Sequence, residues 1–397
     1  MPPPQRRPSP RPAVRRGRGN PSSPRPASSA APLTPTTPRP SSPSRLSSPS
    51  PVAASESVLV RGLSRLFAGA SSRRVATVGI GDDAAVLRVE KRPLVWTIDA
   101  QVEGVHFRRA WLSLADIGAR SFHAAASDLA AMGARPVAAL SSLVVPEAMS
   151  ARDVVRLARG QAMAARELSC PIVGGNLSRG GELGVTTTLL GAASTPLLRS
   201  GARPGDELWL IGHLGLAAAG LGWLAAHDAD GRRDRRVTPA TDRPRAPSLA
   251  PAERRAVRAA LAAFRRPHAL VRAGRGLAGR ARAAIDVSDG LAADAARLAD
   301  ESGVRVVVER AALRRALSPE LFTMARLLET DALELAVSGG EDYALLATGE
   351  ASRRPRFARP IGRVEPGRNA LLRDEQGALI PLVGGFDHFR PKRRSAR

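Results

Sequence analysis

At 397 residues, with 43% hydrophobic side chains and a formal net charge of +24, the chain is long enough for two domains and a sizeable core. Its one cysteine, Cys170, excludes an intrachain disulfide and a cysteine-based zinc site; neither of its two lysines, Lys91 and Lys392, sits in a Gly-x-x-x-x-Gly-Lys-Ser/Thr loop, and no His-Arg-Asp kinase loop is present. The charge raises the question of nucleic acid, but aromatic residues able to stack on bases make up only 3% of the chain, so any polyanion binding is expected to be nonspecific and carried by basic tails.

Residues 1–54 hold nine arginines among prolines and serines, with no acid, and cannot bury enough apolar surface to offset their ordering entropy. They are expected to be a disordered tail. Ser55–Ala68 has apolar positions at helical spacing, followed by strands at Val75–Val78 and Ala84–Val89 around a Gly81-Asp82-Asp83 turn, and a strand Leu94–Ile98 ending at Asp99. Helices are predicted at Ser113–Met132, carrying Asp128, and at Ala151–Leu168. Strands are predicted at Val137–Val145, at Cys170–Val173 opening into a Gly174-Gly175-Asn176 loop, and at Leu183–Ala192. This is an N-terminal α/β domain over 55–196.

Leu208–Ala226 is nearly long and apolar enough to span a bilayer, but four glycines and the preceding Arg203-Pro-Gly-Asp206 turn divide it into a strand Glu207–Ile211, a turn and a helix. No membrane association is expected. A polar insertion covers 227–255 and a helix Ala256–Phe264 follows. Ala283–Leu291 then puts Asp286, Ser288 and Asp289 on a strand-to-helix corner. Beyond it the pattern gives helix Leu291–Ser302, strand Val304–Glu309, helix Pro319–Leu328, strand Leu333–Val337, a turn at Ser338–Tyr343, and strands Ala344–Thr348 and Pro360–Val364. The C-terminal α+β domain spans 197–389, and 390–397 form a basic tail of charge +5.

Acids at 82, 99, 128, 286 and 289 offer the oxygen ligands that Mg²⁺ prefers, although each alone reads first as a cap, a turn former or a solvated residue. Taken in order, the Gly-Ile-Gly-Asp-Asp-Ala-Ala-Val stretch, Thr97-Ile-Asp99 with Glu103-Gly-Val-His-Phe107, Ala126-Ser-Asp-Leu-Ala-Ala-Met-Gly-Ala134, Val173-Gly-Gly-Asn176, Ile285-Asp-Val-Ser-Asp-Gly290 and Ser338-Gly-Gly-Glu-Asp-Tyr343 resemble the thiamine-monophosphate kinases. These belong to the aminoimidazole-ribonucleotide-synthetase-like ATP-binding superfamily, and the resemblance runs from about Ser55 to Phe389.

The resemblance implies a two-domain α/β (α+β) fold that dimerises through its N-terminal sheets, and the single cysteine fits a reducing cytoplasm. The resemblance also implies direct in-line, Mg²⁺-assisted transfer from ATP to thiamine monophosphate. Asp82, Thr97, Asp99, Asp128, Asp286 and Asp289 would be the Mg²⁺ ligands. Arg199, Ser288, Gly175 and Asn176 would contact ATP, and His106, Glu341 and Phe386 would contact thiamine monophosphate. Three positions depart from the family pattern: Ile98 replaces a frequent hydroxyl residue, Asn176 a frequent Asp, and Phe386 a frequent Trp. Another ATP-using synthetase of the superfamily is the nearest rival, and a basic nucleic-acid-binding protein on this scaffold a more distant one. The cysteine near a glycine-rich N-terminus of selenophosphate synthetases, and the C-terminal cysteine of hydrogenase-maturation relatives, have no counterpart here.

Overall fold

The computed structural model describes residues 62–63, 65–67, 76–78, 86–87, 92–228 and 249–386. The expected tails at 1–54 and 390–397, the Gly81-Asp82-Asp83 turn and most of the 227–255 insertion lie outside them. Residues 62–63 and 65–67 are helical, inside the predicted Ser55–Ala68 helix.

After a short antiparallel pair, β1 (Ala76–Val78) and β2 (Val86–Leu87), come β3 (Leu94–Val102), α1 (Leu114–Ala131), β4 (Arg135–Pro146), α2 (Ala151–Glu167), β5 (Ile172–Gly180) and β6 (Gly184–Ala192). The last four strands form a sheet in the order β3-β6-β4-β5. Ser113 and Ser150 cap α1 and α2, Ser150 in a reciprocal capping box with Asp153.

The second half contributes β7 (Glu207–Ile211), α3 (Leu216–Ala226), α4 (Pro251–Arg265), α5 (Val271–Leu277), β8 (Ala283–Val287), α6 (Leu291–Ser302), β9 (Arg305–Glu309), α7 (Arg310–Ala316), α8 (Pro319–Leu327), α9 (Ala332–Ser338), β10 (Ala344–Gly349), β11 (Arg359–Glu365), β12 (Asn369–Arg373) and β13 (Leu379–Pro381). Seven strands pair in the order β13-β12-β9-β11-β7-β10-β8. No described helix is long and apolar enough to cross a membrane, and Leu208–Ala226 divides into β7 and α3 as its turn residues require.

Helix α1 is the seam. Its Phe122, Ala125, Ala126 and Leu129 share one core with Leu189 of the four-stranded sheet and with Trp209, Ile211 and Leu345 of the seven-stranded sheet. A helix buried on nearly every side needs small residues, which accounts for the alanine run that the sequence shows there. Gly118 and Gly160 let α1 and α2 meet backbone to backbone: a Cβ on Gly118 would lie 2.0 Å from the Leu157 carbonyl oxygen, and one on Gly160 1.9 Å from that of Ala115.

Four expectations need correction. Leu333–Val337 is not a strand but lies within α9: five mostly apolar residues fit either period, and Asp331, whose side chain accepts from the Leu333 and Glu334 N–H groups, decides for helix. Gly174-Gly175-Asn176 is not a loop but the middle of β5, paired with Leu140, Ser141 and Ser142 of β4. Strand β3 continues to Val102, so Asp99 sits mid-strand opposite Thr187. Helix α4 begins at Pro251, inside the expected insertion, with Glu253 accepting from the Ala250 N–H at 2.9 Å.

His123 of α1 is buried, accepts from the Ala269 N–H at Nδ1 (3.3 Å), and faces Glu167 and the His268 ring. Ligand atoms of His123, Glu167 and His268 lie within 4.8 Å of one another. The accepting Nδ1 leaves the proton on Nε2, toward Glu167, which suits hydrogen bonding and not a metal. Burial pushes the His123 pKa down to about 4, against the pull of Glu167. The folded state thus holds neutral His123, so its contribution to stability is lost as pH falls from about 6.5 to about 4, up to about 3 kcal/mol. Urea melts of wild type and His123→Gln at pH 7 and pH 4.5 check this. Wild type is expected to lose more stability than the variant on acidification, and equal losses would refute it.

Candidate functional site

Asp286 is the last residue but one of a fully buried strand, β8, and pairs across the sheet with Leu345 of β10. The chain then turns through Ser288, Asp289 and Gly290 into α6, with Gly290 at φ 108°, a conformation that strongly favours glycine. This corner is held from inside by Asp294, in the first turn of α6, whose Oδ2 accepts from the Ser288 and Asp289 N–H groups at 3.1 Å each. Arg297 bridges Asp294 (2.6 Å) and Asp289 (2.7 Å). Burial pushes the Asp294 carboxyl up to about 6, while Arg297 pulls it down.

Two further segments fasten to the same corner. The Glu341 and Tyr343 N–H groups donate to the Ser288 and Val287 carbonyls at 2.6 and 2.9 Å, and the Phe386 N–H donates to the Asp289 carbonyl at 2.8 Å. Glu341 and Tyr343 both take positive φ, 70° and 49°. Between them Asp342, partly buried, caps α3 by accepting from Gly215 (2.5 Å) and Ala217 (3.1 Å); loss of solvation still raises its pKa to about 7.

A cavity of about 740 Å³ opens on this corner and is lined by Asp99, Asp128, Asp286, Ser288, Asp289, His106, Glu341 and Phe386, with Ile98, Val105 and Leu221 on its apolar side. A second cavity, about 450 Å³, holds Thr97, Arg199 and Glu301 and shares Asp128 and Asp286 with the first. Thr97 donates to Asp128. His106 is oriented by the Val102 N–H, which donates to its Nδ1 at 3.1 Å.

The acids at the junction carry unfavourable charge. Burial, then the charge of Asp128, pushes Asp99 up to about 6; burial, then Asp128, pushes Asp286 up to about 7. Asp128 is itself raised by burial, against the Thr97 hydroxyl and Arg199. Asp128 thus repels both of the other carboxyls in a poorly solvated space, a charge imbalance that a bound cation would relieve.

Of the residues singled out in the sequence, Thr97, Asp99, Asp128, Arg199, Asp286, Ser288, Asp289, His106, Glu341 and Phe386 thus come to these two cavities. Gly175 and Asn176 line neither: they lie on β5, three strand spacings, about 14 Å, across the sheet from β3. Asp82 lies outside the described residues. Sequence reading missed Asp294 and the wholly buried Arg120, which pairs with Glu341. For Asp294 a signal existed, an acid in the first turn of a helix that follows Ser-Asp-Gly; for Arg120 there was none.

Comparison with known proteins agrees with this architecture. Residues 81–193 match the AIR synthase related protein N-terminal domain, and residues 203–374 match the corresponding C-terminal domain. The thiamine-monophosphate kinase of Corynebacterium glutamicum is 36% identical over 305 residues, covering 74% of this chain and 83% of the relative. That of Aquifex aeolicus is 33% identical over 295 residues, 74% of this chain and 88% of the relative. A solved structure described as AaThiL complexed with AMPPCP and TMP superposes with a TM-score of 0.65 at 30% identity, covering 84% of this chain and 97% of the other. On its two matched domains and on relatives of this identity and coverage, the chain belongs to the thiamine-monophosphate kinase family.

Proposed function

We propose that the chain uses ATP to phosphorylate thiamine monophosphate, giving thiamine diphosphate and ADP by direct in-line transfer. The observation that carries this reading is the junction of the two cavities at Asp128 and Asp286. Arg199 stands in one cavity, while His106, Glu341 and Phe386 stand in the other. A phosphoryl donor and a phosphate acceptor entering from the two sides would meet at the carboxylates.

Thr97, Asp99, Asp128, Asp286 and Asp289, with Asp82, would hold Mg²⁺. The donor set is entirely oxygen, which suits this hard cation and not zinc or copper. When bound, Mg²⁺ supplies positive charge between two polyanions and the buried carboxyls. The chain's own part is orientation: Arg199 and Ser288 at ATP, His106 at the acceptor phosphate, and Phe386 against an aromatic ring. An ionised phosphate oxygen is already a nucleophile near neutral pH, so no general base is required. Gly175 and Asn176 lie outside both cavities, about 14 Å across the sheet from β3. As ATP contacts they would act in a second copy.

The dimer reading draws support from an apolar face on the four-stranded sheet. Leu94, Trp96 and Ile98 of β3, with Leu140 and Val144 of β4, point to the same side and remain exposed, Trp96 by 72%. Cytoplasmic residence is consistent with a sole thiol, Cys170, that is buried and whose pKa burial pushes up to about 12.

Incubation with ATP and thiamine monophosphate, with and without Mg²⁺, tests the proposal, aminoimidazole-pathway substrates serving as controls. Stoichiometric ADP and thiamine diphosphate only with Mg²⁺ are expected. Turnover of a control substrate in place of thiamine monophosphate would sink it.

A further inference from the structure

Arg120 lies in the middle of α1, between the two sheets, and its side chain is 0% exposed. A buried guanidinium is retained only where several acceptors meet it. Here three do so from three different elements. Its Nε donates to Gln101 Oε1 of β3 at 3.2 Å, its Nη1 donates to the Phe264 carbonyl in the last turn of α4, and its Nη2 pairs with Glu341. The plane of the group also lies 4.6 Å above the Phe264 ring.

Glu341 needs such a partner. Its backbone occupies the left-handed region, and its neighbour Gly340 is packed so closely that an added Cβ would lie 2.6 Å from the Ser288 carbonyl oxygen. Its side chain, a quarter exposed, forms part of the cavity wall. A glutamate on a strained turn would sample many rotamers unless its carboxylate were fixed from behind. Arg120 itself does not line the cavity, and its fork reaches the carboxylate from within the buried space between the two sheets.

We infer that Arg120 is a positioning residue, a buried clamp that fixes the Glu341 carboxylate for thiamine monophosphate. This rests on the proposed role of Glu341 at that substrate, and the clamp itself can be tested without it. Arg120 touches no substrate in this arrangement. Its effect passes through Glu341, so it bears on the acceptor side of the reaction and leaves the Arg199 side alone.

The experiment compares wild type, Arg120→Met, Arg120→Lys, Glu341→Gln and the Arg120→Met/Glu341→Gln double variant. It reads KM for each substrate, and hydrogen exchange of the Ser338–Tyr343 amides without ligand. Arg120→Met is expected to raise KM for thiamine monophosphate about 10-fold or more while KM for ATP stays within about twofold, and to speed exchange of the turn about 10-fold. The double variant is expected to be no worse than Arg120→Met alone, and Arg120→Lys, with one point charge in place of the fork, to fall between. An additive double variant, unchanged exchange, or an equal rise in KM for ATP would overturn the clamp. If Glu341→Gln leaves KM unchanged while exchange in Arg120→Met rises, the substrate role of Glu341 fails and the clamp stands. Should Arg120→Met fail to fold, Arg120→Lys gives the same two readouts, and wild-type values of both would overturn the proposal.

Discussion

Asp128→Asn should lower turnover about 1000-fold without lowering the melting temperature. The substitution keeps an oxygen that can accept from Thr97 and keeps the volume of the side chain, so the packing of α1 is preserved. What it removes is one negative charge from a set in which Asp128 raises the pKa of both Asp99 and Asp286. Without a cation that charge is a burden, and the apo variant should be as stable as wild type or more so. With Mg²⁺ the order reverses: wild type should gain thermal stability on titration with the metal, and the variant should gain little. Turnover above about a tenth of wild type, or an unchanged metal-induced shift, would remove Asp128 from the proposed ligand set.

In the proposed dimer, Trp96→Arg should release monomers. A two-fold interface built on the exposed face of the four-stranded sheet uses each side chain twice, so one substitution deletes two tryptophans and places two like charges close together. At about 2 kcal/mol for each buried tryptophan, the loss is about 4 kcal/mol, or about 1000-fold in dissociation constant. Sedimentation equilibrium across the nanomolar to micromolar range measures it directly. A variant that remains dimeric throughout would show that a different surface forms the contact. Kinase activity read at the same concentrations adds a second result: if a second copy contributes Gly175 and Asn176, activity falls along with the dimer.

Those two residues also mark how far the sequence could be read. Asp128 was legible because a lone acid within an alanine run stands out, and the run itself announced a helix enclosed on most sides. The corner at Asp286, Ser288 and Asp289 was legible because an apolar strand, a Ser-Asp-Gly turn and a helical period follow one another without a gap. Gly175 and Asn176 were misread as a loop. Two successive glycines usually end a strand, and only the carbonyl of Ser141, 1.8 Å from where a Cβ on Gly175 would sit, explains why they continue one here. The segment Leu333–Val337 was too short for periodicity to decide, and the deciding group, Asp331, stands outside it. Arg120 was invisible for another reason. All but two of the 60 basic residues are arginines, and nothing local distinguishes the one whose partners come from β3, α4 and the turn after α9.

The backbone contact of α1 with α2 at Gly118 and Gly160 has a mechanical meaning. Helices that touch through main-chain atoms have no side-chain layer to shear, so the pair behaves as a stiff beam, and Asp128 rides on that beam. The opposite wall is built differently: the Ser338–Tyr343 turn is held by the Glu341 and Tyr343 N–H groups, by Asp342 at the start of α3 and by Arg120, and the segment beyond it meets the corner where the Phe386 N–H donates to the Asp289 carbonyl. Asp128 therefore keeps its place as substrates come and go, whichever acceptor is bound.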